Sequence, residues 1–146
     1  MAKLDVFLRN VSDNLKDGGR FVGTCFDGKK IFNDLRDVTD VSYYDKTGKP
    51  VWKIEKRYED TILTDDSRSL SLPIDVYVDS IGKVTTEWLV NWDYVAKKLP
   101  EYDLKLVKLT SFEDHFKRQK KNKMPKELQQ FSFYNLSFEI EKDIKG

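Results

Sequence analysis

Leu15-Lys16-Asp17-Gly18-Gly19-Arg20-Phe21-Val22-Gly23-Thr24-Cys25-Phe26-Asp27 reads as the end of a helix, a two-glycine turn, a strand and a polar turn. Upstream, Leu4, Phe7, Leu8, Val11 and Leu15 recur at helical spacing and mark one apolar face. Gly18-Gly19 supplies the left-handed residue that closes such a helix, because glycine has no Cβ to clash there. Phe21 and Val22, followed by the small Gly23, Thr24 and Cys25, suit a parallel-type strand buried on both faces, Arg20–Phe26. Asp27-Gly28 turns the chain into a helix over 29–36, with Ile31, Phe32 and Leu35 on one side. Helix, glycine turn, strand and helix in this order predict an α/β sheet.

Working outward, Val41–Tyr44 and Val51–Ile54 predict two strands joined through a polar connection containing Gly48, a hairpin signal. The stretch 59–72 is rich in Asp, Ser and Thr and predicts a surface loop. Ile74, Val76 and Val78 alternate with Asp75, Tyr77 and Asp79, so a half-exposed strand follows. Glu87–Val90 reads as a short turn, Asn91 as the cap of a helix over 92–99, and Pro100 as its stop. Leu104–Leu109 predicts a strand, Ser111 the start of an amphipathic helix, and Phe131–Lys142 the last strand region.

A chain of 146 residues has room for one domain with a real core. The formal charge of +1, with 35% charged residues, points neither toward nucleic acid nor away from it. A single Cys excludes an internal disulfide framework and a cysteine-cluster zinc site, and a single His removes most metal and His-dependent mechanisms. No apolar run approaches the roughly 18–20 residues of a spanning helix, and the first residues lack a signal-peptide pattern. No membrane association is expected, and the protein reads as soluble and intracellular.

Three blocks carry a family resemblance. The stretch FLRNVSDNLKDGGRFVGTCFDGKKIFNDL (7–35) resembles the segment around the fifth strand of messenger RNA cap guanine-N7 methyltransferases, especially the forms carried by large DNA viruses. Those enzymes show a helix, then LK-x-GG-x-F-[IV]-GT, then an acidic or amide turn. The later block LPIDVYVDSIGKVTTEWLVNWDYVAKKLPEYDLKLVKLTSFEDHF (72–116) resembles the second half of the same domain, and FSFYNLSFEIEK (131–142) its last strand. The resemblance implies an α/β fold: the C-terminal part of a Rossmann-like class I methyltransferase sheet, strands five to seven with the early hairpin inserted. It implies methyl transfer from S-adenosylmethionine to the 5′ cap guanine of mRNA. For a viral chain it implies action in the host cytoplasm or the virion, and otherwise in the nucleus.

It also implies site residues. Glu87 in VTTEWLV matches the PE-x-LV glutamate that binds the guanine edge, with Thr86 where the family often has Pro. The residues alone favour a solvated glutamate in the first turn of a helix, and the resemblance reverses that reading. Tyr77 falls where the family carries an aromatic near the cap, or else is an outward-facing strand aromatic or a cross-strand packing residue. Tyr134 matches a tyrosine that touches the cap guanosine, with Asn135 in competition, since a one-residue slip moves the side chain to the other face. The run Lys117, Arg118, Lys120, Lys121, Lys123 and Lys126 is either a phosphate-binding surface for RNA or a solvated helix end. No catalytic acid, base or nucleophile is expected, since guanine N7 already carries its lone pair. Phe26 and Asp27 either line a cleft at the strand end or simply form the turn. Cys25 reads as a small buried residue and His115 as partly packed.

The sequence contains no glycine-rich turn directly after a strand, which enzymes of this class use to hold S-adenosylmethionine. The resemblance therefore covers the C-terminal half of the domain, with the cofactor bound mainly by an absent upstream half. The fifth strand would be left with an open edge where the fourth normally pairs, so the chain is expected to need that half, covalently or as a partner. The alternative is a non-catalytic cap- or RNA-binding module, or a methyltransferase partner, without a cofactor site.

Overall fold

A computed structural model describes residues 2–119 and 124–145. Seven strands form two sheets. The first is three-stranded, in the order β1 (Arg20–Phe26), β7 (Asn135–Lys142), β6 (Leu104–Ser111), with both pairings antiparallel. The second is a four-stranded antiparallel meander, β2 (Asp40–Tyr44), β3 (Pro50–Lys56), β4 (Pro73–Val78) and β5 (Lys83–Trp88). Helices α1 (Ala2–Asn14), α2 (Gly28–Asp34), α3 (Trp92–Lys98), α4 (Phe112–Arg118) and α5 (Lys126–Ser132) connect and cover them.

The opening unit forms as its residues dictate. Leu8 and Val11 of α1 are buried, with Leu4 and Leu15 packed beside them. Gly18 takes φ +78°, and its amide donates to the Lys142 carbonyl at 2.8 Å, tying the helix end to the end of β7. Asp27 caps α2 by accepting from the Lys30 amide at 3.1 Å, and Ile31, Phe32 and Leu35 are buried on the expected face. The caps at Asn91, which accepts from the Asp93 amide, and at Ser111, which accepts from the Asp114 amide, also form as predicted.

Four expectations are corrected. The strand β1 is neither parallel-paired nor buried on both faces: it pairs antiparallel with β7, and Val22 is 66% exposed. The reason is that α1 and α3 cover only the face carrying Phe21 and Cys25, leaving Val22 and Thr24 bare. The expected inserted hairpin is half of a four-stranded sheet. The stretch 87–90 is not a turn, since Glu87 and Trp88 belong to β5 and pair with Ile74 and Pro73; β-branched Val84, Thr85 and Thr86 favour that extension. The last strand begins only at Asn135, because 126–132 is helical.

Two cores result. One lies between α1, α3 and the first sheet, around Leu8, Val95, Leu99, Leu104 and Ile140. The other lies between α2 and the inner face of the second sheet, around Ile31, Leu35, Trp52, Ile54, Ile74 and Tyr134. They meet at one tight corner. A Cβ on Gly28 would stand 2.5 Å from the Val90 carbonyl oxygen, a backbone atom with no rotamer to yield. Gly28→Ala is therefore expected to lower unfolding stability by about 1–3 kcal/mol, read as a lower urea midpoint, whereas Lys29→Ala beside it leaves the midpoint nearly unchanged.

The second core contains two contrasting phenols. Tyr134 donates to Asp34 Oδ2 at 2.7 Å. Tyr58 stacks on Phe32 at 5.6 Å, and among the described residues its buried hydroxyl has no partner. Burial, with the nearby Asp60 carboxylate adding to it, pushes the Tyr58 phenol up to about 12; burial first and the Asp34 hydrogen bond second raise Tyr134 as well. Both phenols ionise earlier in the unfolded chain, so they leave stability unchanged below pH 10 and reduce it as pH rises from 10 toward 12. Tyr58→Phe should stabilise the protein by about 1 kcal/mol and flatten the alkaline loss, while Tyr134→Phe should cost about 1 kcal/mol. Urea midpoints between pH 8 and pH 11 measure both effects.

Candidate functional site

Strand pairing decides which of the expected cap residues face the same way. Residues directly opposite each other point to the same face. Ile74 and Val76 are buried on the inner face against α2, and Glu87 and Thr85 are their partners on β5. Glu87 therefore belongs to the inner face, but it sits on the edge strand beyond the cover of α2 and is exposed. Among the described residues its carboxylate makes no hydrogen bond or ion pair.

Tyr77 pairs with Val84 and Lys53 on the outer face. Its hydroxyl donates to Asp79 Oδ1 at 3.2 Å, and its neighbours on that face are Arg57 and Asp75, themselves an ion pair. The Arg57 guanidinium, and next the Thr86 hydroxyl, hold the Asp75 carboxyl below the usual range. Tyr77 and Glu87 thus stand on opposite faces of one sheet.

Tyr134 lies on Glu87's side of the sheet, packed in the core 6.2 Å from Trp52. Its hydroxyl is committed to Asp34, and the Lys30 ammonium stands 5.2 Å from its ring while donating to the Phe133 carbonyl. Asn135, one residue on, enters β7 opposite Phe26, and its amide donates to the Phe131 and Ser132 carbonyls. Phe26 packs edge-on against Phe131, and Asp27 acts as a helix cap.

Of the basic run, Lys117 and Arg118 are exposed at the end of α4, Lys117 paired with Glu113 one turn back, and Lys126 is exposed at the start of α5. Lys120, Lys121 and Lys123 lie outside the described residues. Cys25 is half-buried: burial pushes its thiol up, and Trp92 Nε1 donates to its sulfur at 3.4 Å. His115 is exposed but packs edge-on against Phe112 at 6.2 Å, with Nε2 2.8 Å from the Ser137 hydroxyl.

The Gly18-Gly19 pair does not form a cradle for S-adenosylmethionine. In the one glycine pair, Gly18 N–H is already donated to Lys142 and Gly19 N–H to Lys16, both at 2.8 Å. The pair closes a helix and offers no amides to a ligand. Sequence reading overlooked α5, whose signal was present in Pro125 followed by the first-turn acid Glu127. With α5 it also overlooked the cleft of about 410 Å³ between that helix and Tyr43.

Comparisons with known proteins bear on the family and the fold. Over 102 residues the chain is 33% identical to a probable mRNA-capping enzyme of Acanthamoeba polyphaga mimivirus; the match takes in 65% of this chain and 8% of that protein, so the chain spans a small part of its relative's length. Among solved structures, an S-adenosylmethionine-dependent methyltransferase described as putative, from Listeria monocytogenes, superposes with a TM-score of 0.53 at 15% identity, over 95% of this chain and 55% of that one. A second, from Clostridium acetobutylicum, gives 0.48 at 17% identity over 94% and 50%. The Listeria superposition supports a class I methyltransferase fold, of which this chain spans about half. The model of the mRNA (guanine-N(7))-methyltransferase domain matches residues 1–138, and the chain belongs to that family.

Proposed function

We propose that this chain is the C-terminal part of a cap guanine-N7 methyltransferase, which transfers methyl from S-adenosylmethionine to the cap guanine of mRNA. The observation that carries this reading is the family match over residues 1–138 together with an uncommitted carboxylate at Glu87.

Guanine presents N1–H and N2–H₂ on one edge, two donors that a carboxylate, an acceptor with two oxygens, matches. N7 needs no base, since its lone pair is available, so the residues that hold the ring act by positioning. Glu87 is the group for the guanine edge. Tyr134 lies on the same side of the sheet but is buried in the core with its hydroxyl held by Asp34, so it serves the cap only if the packing around it opens. Tyr77, on the outer face, serves the cap only if the RNA or the upstream half wraps round the β5 edge.

The cofactor is assigned to an upstream half. The bare edge of β1, flanked by Val22, 66% exposed, and by Phe7, 45% exposed on the opposite face, fits a further strand and the helix that would cover it. The partners are thus capped RNA and that upstream half, covalent or separate.

In an enzyme comprising this chain and its upstream half, Glu87→Gln is expected to lower kcat/KM for a GpppA-capped RNA by roughly 100-fold, two charge-assisted hydrogen bonds being weakened. Affinity for S-adenosylmethionine should be unchanged; wild-type methyl transfer by the Glu87 variant would contradict the assignment. Lys117→Ala with Arg118→Ala should reduce the slope of log affinity for capped RNA against log salt by about 0.7 for each phosphate no longer neutralised. An unchanged slope would make the run a solvated helix end.

A further inference from the structure

The cleft between α5 and β2 is not explained by the guanine site. Trp52 sets its shape: the indole Nε1 donates to the Glu127 carbonyl at 2.8 Å, and its rings pack 5.6 Å from Phe131. That grip pins α5 to the sheet. Tyr43, the cross-strand partner of Trp52, is left facing Lys126, Glu127, Gln129, Gln130 and Phe133 across a cavity of about 410 Å³.

Its lining is chemically mixed in a particular way. Tyr43 and Phe133 are aromatic walls, and Phe133 is held from behind by Phe116 at 5.6 Å. Gln129 donates its amide nitrogen to the Met124 carbonyl at 2.6 Å, which leaves its carbonyl oxygen to accept. Gln130 and Lys126 are exposed at the mouth. Aromatic faces with a few amides, a cation and one acid, Glu127, suit a nucleobase whose phosphate lies outside on the Lys126 side.

Tyr43 and Glu87 belong to the same face of the four-stranded sheet, on its two edge strands. Three strand spacings, about 14 Å, separate those edges, with an offset of four residues along the strands, a span on the scale of a triphosphate bridge and its riboses. We propose that the cleft between β2 and α5 binds the base of an RNA nucleotide just downstream of the cap, stacked at Tyr43 and Phe133. The siting of this subsite relative to the guanine rests on the cap methyltransferase reading; its binding chemistry does not.

The test therefore uses uncapped RNA. The protein is titrated with pentaadenylate and with an all-abasic ribose-phosphate pentamer of equal charge, following amide and aromatic chemical shifts. Pentaadenylate is expected to bind about 10-fold more tightly, with shifts at Tyr43, Gln130 and Phe133. Tyr43→Leu, which keeps apolar bulk against the core, should erase the difference; Gln130→Ala should weaken pentaadenylate alone; Tyr44→Ala, on the outer face, should leave the difference intact. Equal binding of the two pentamers, no binding of either, or a difference that survives Tyr43→Leu would overturn the proposal. A failure here combined with loss of cap methylation in Glu87→Gln would leave the guanine assignment standing; the reverse pattern would remove that assignment alone.

Discussion

The seven residues of β1 are hydrogen-bonded to β7 along one edge and, among the described residues, to no strand along the other. The candidate site is hung from this half-paired strand. Its N-terminal end is fixed by the Gly18 turn to the end of β7, and its C-terminal end passes through the Asp27 cap into α2. Helix α2 then carries the whole four-stranded sheet on Ile31, Phe32 and Leu35. A strand edge with apolar side chains on both flanks is an unfinished surface, and it lies where a class I methyltransferase sheet continues.

The four-stranded sheet works as a plate with two different faces. Its inner side buries Trp52, Ile54, Ile74 and Val76 and, among the described residues, leaves uncommitted chemistry at the margins, at Glu87 on one edge and beside Tyr43 on the other. The outer side is a lattice of ion pairs around Lys53, Glu55, Arg57 and Asp75. Such exposed pairs contribute little stability, but they satisfy one another, and that face has less polar capacity left for a ligand. The packed face is therefore where the candidate site forms, with Tyr134 buried in the core behind it.

Where local chemistry decides, the sequence was readable. The face of α1, the left-handed Gly18, the Asn91 and Ser111 caps and the β2–β3 hairpin follow from a few neighbouring residues each. Where distant pairing decides, it was not. Glu87 sits in a strand because β4 lies beside it, and nothing within VTTEWLV specifies the register that puts it on the inner face. Val22 looks like a core residue because its neighbours are apolar, yet it is exposed, because α1 and α3 cover only the other face of β1. Alternation in 74–78 already separated Tyr77 from Ile74 and Val76; only the β4–β5 register could separate it from Glu87. The cleft at Tyr43 was hidden by reading 131–142 as strand, which removed the last turn of α5.

The claim that this chain is the second half of a cap methyltransferase is tested most directly by titrating S-adenosylmethionine into the chain alone and into the chain joined to an upstream segment that supplies a strand for the β1 edge and a glycine-rich turn. Methyl transfer to GpppA-capped RNA is followed in both. The account predicts no saturable cofactor binding and no methylation by the chain alone, and both activities in the joined protein. Cofactor binding by residues 1–146 alone, or a joined protein that binds cofactor but leaves the cap unmethylated, would contradict it.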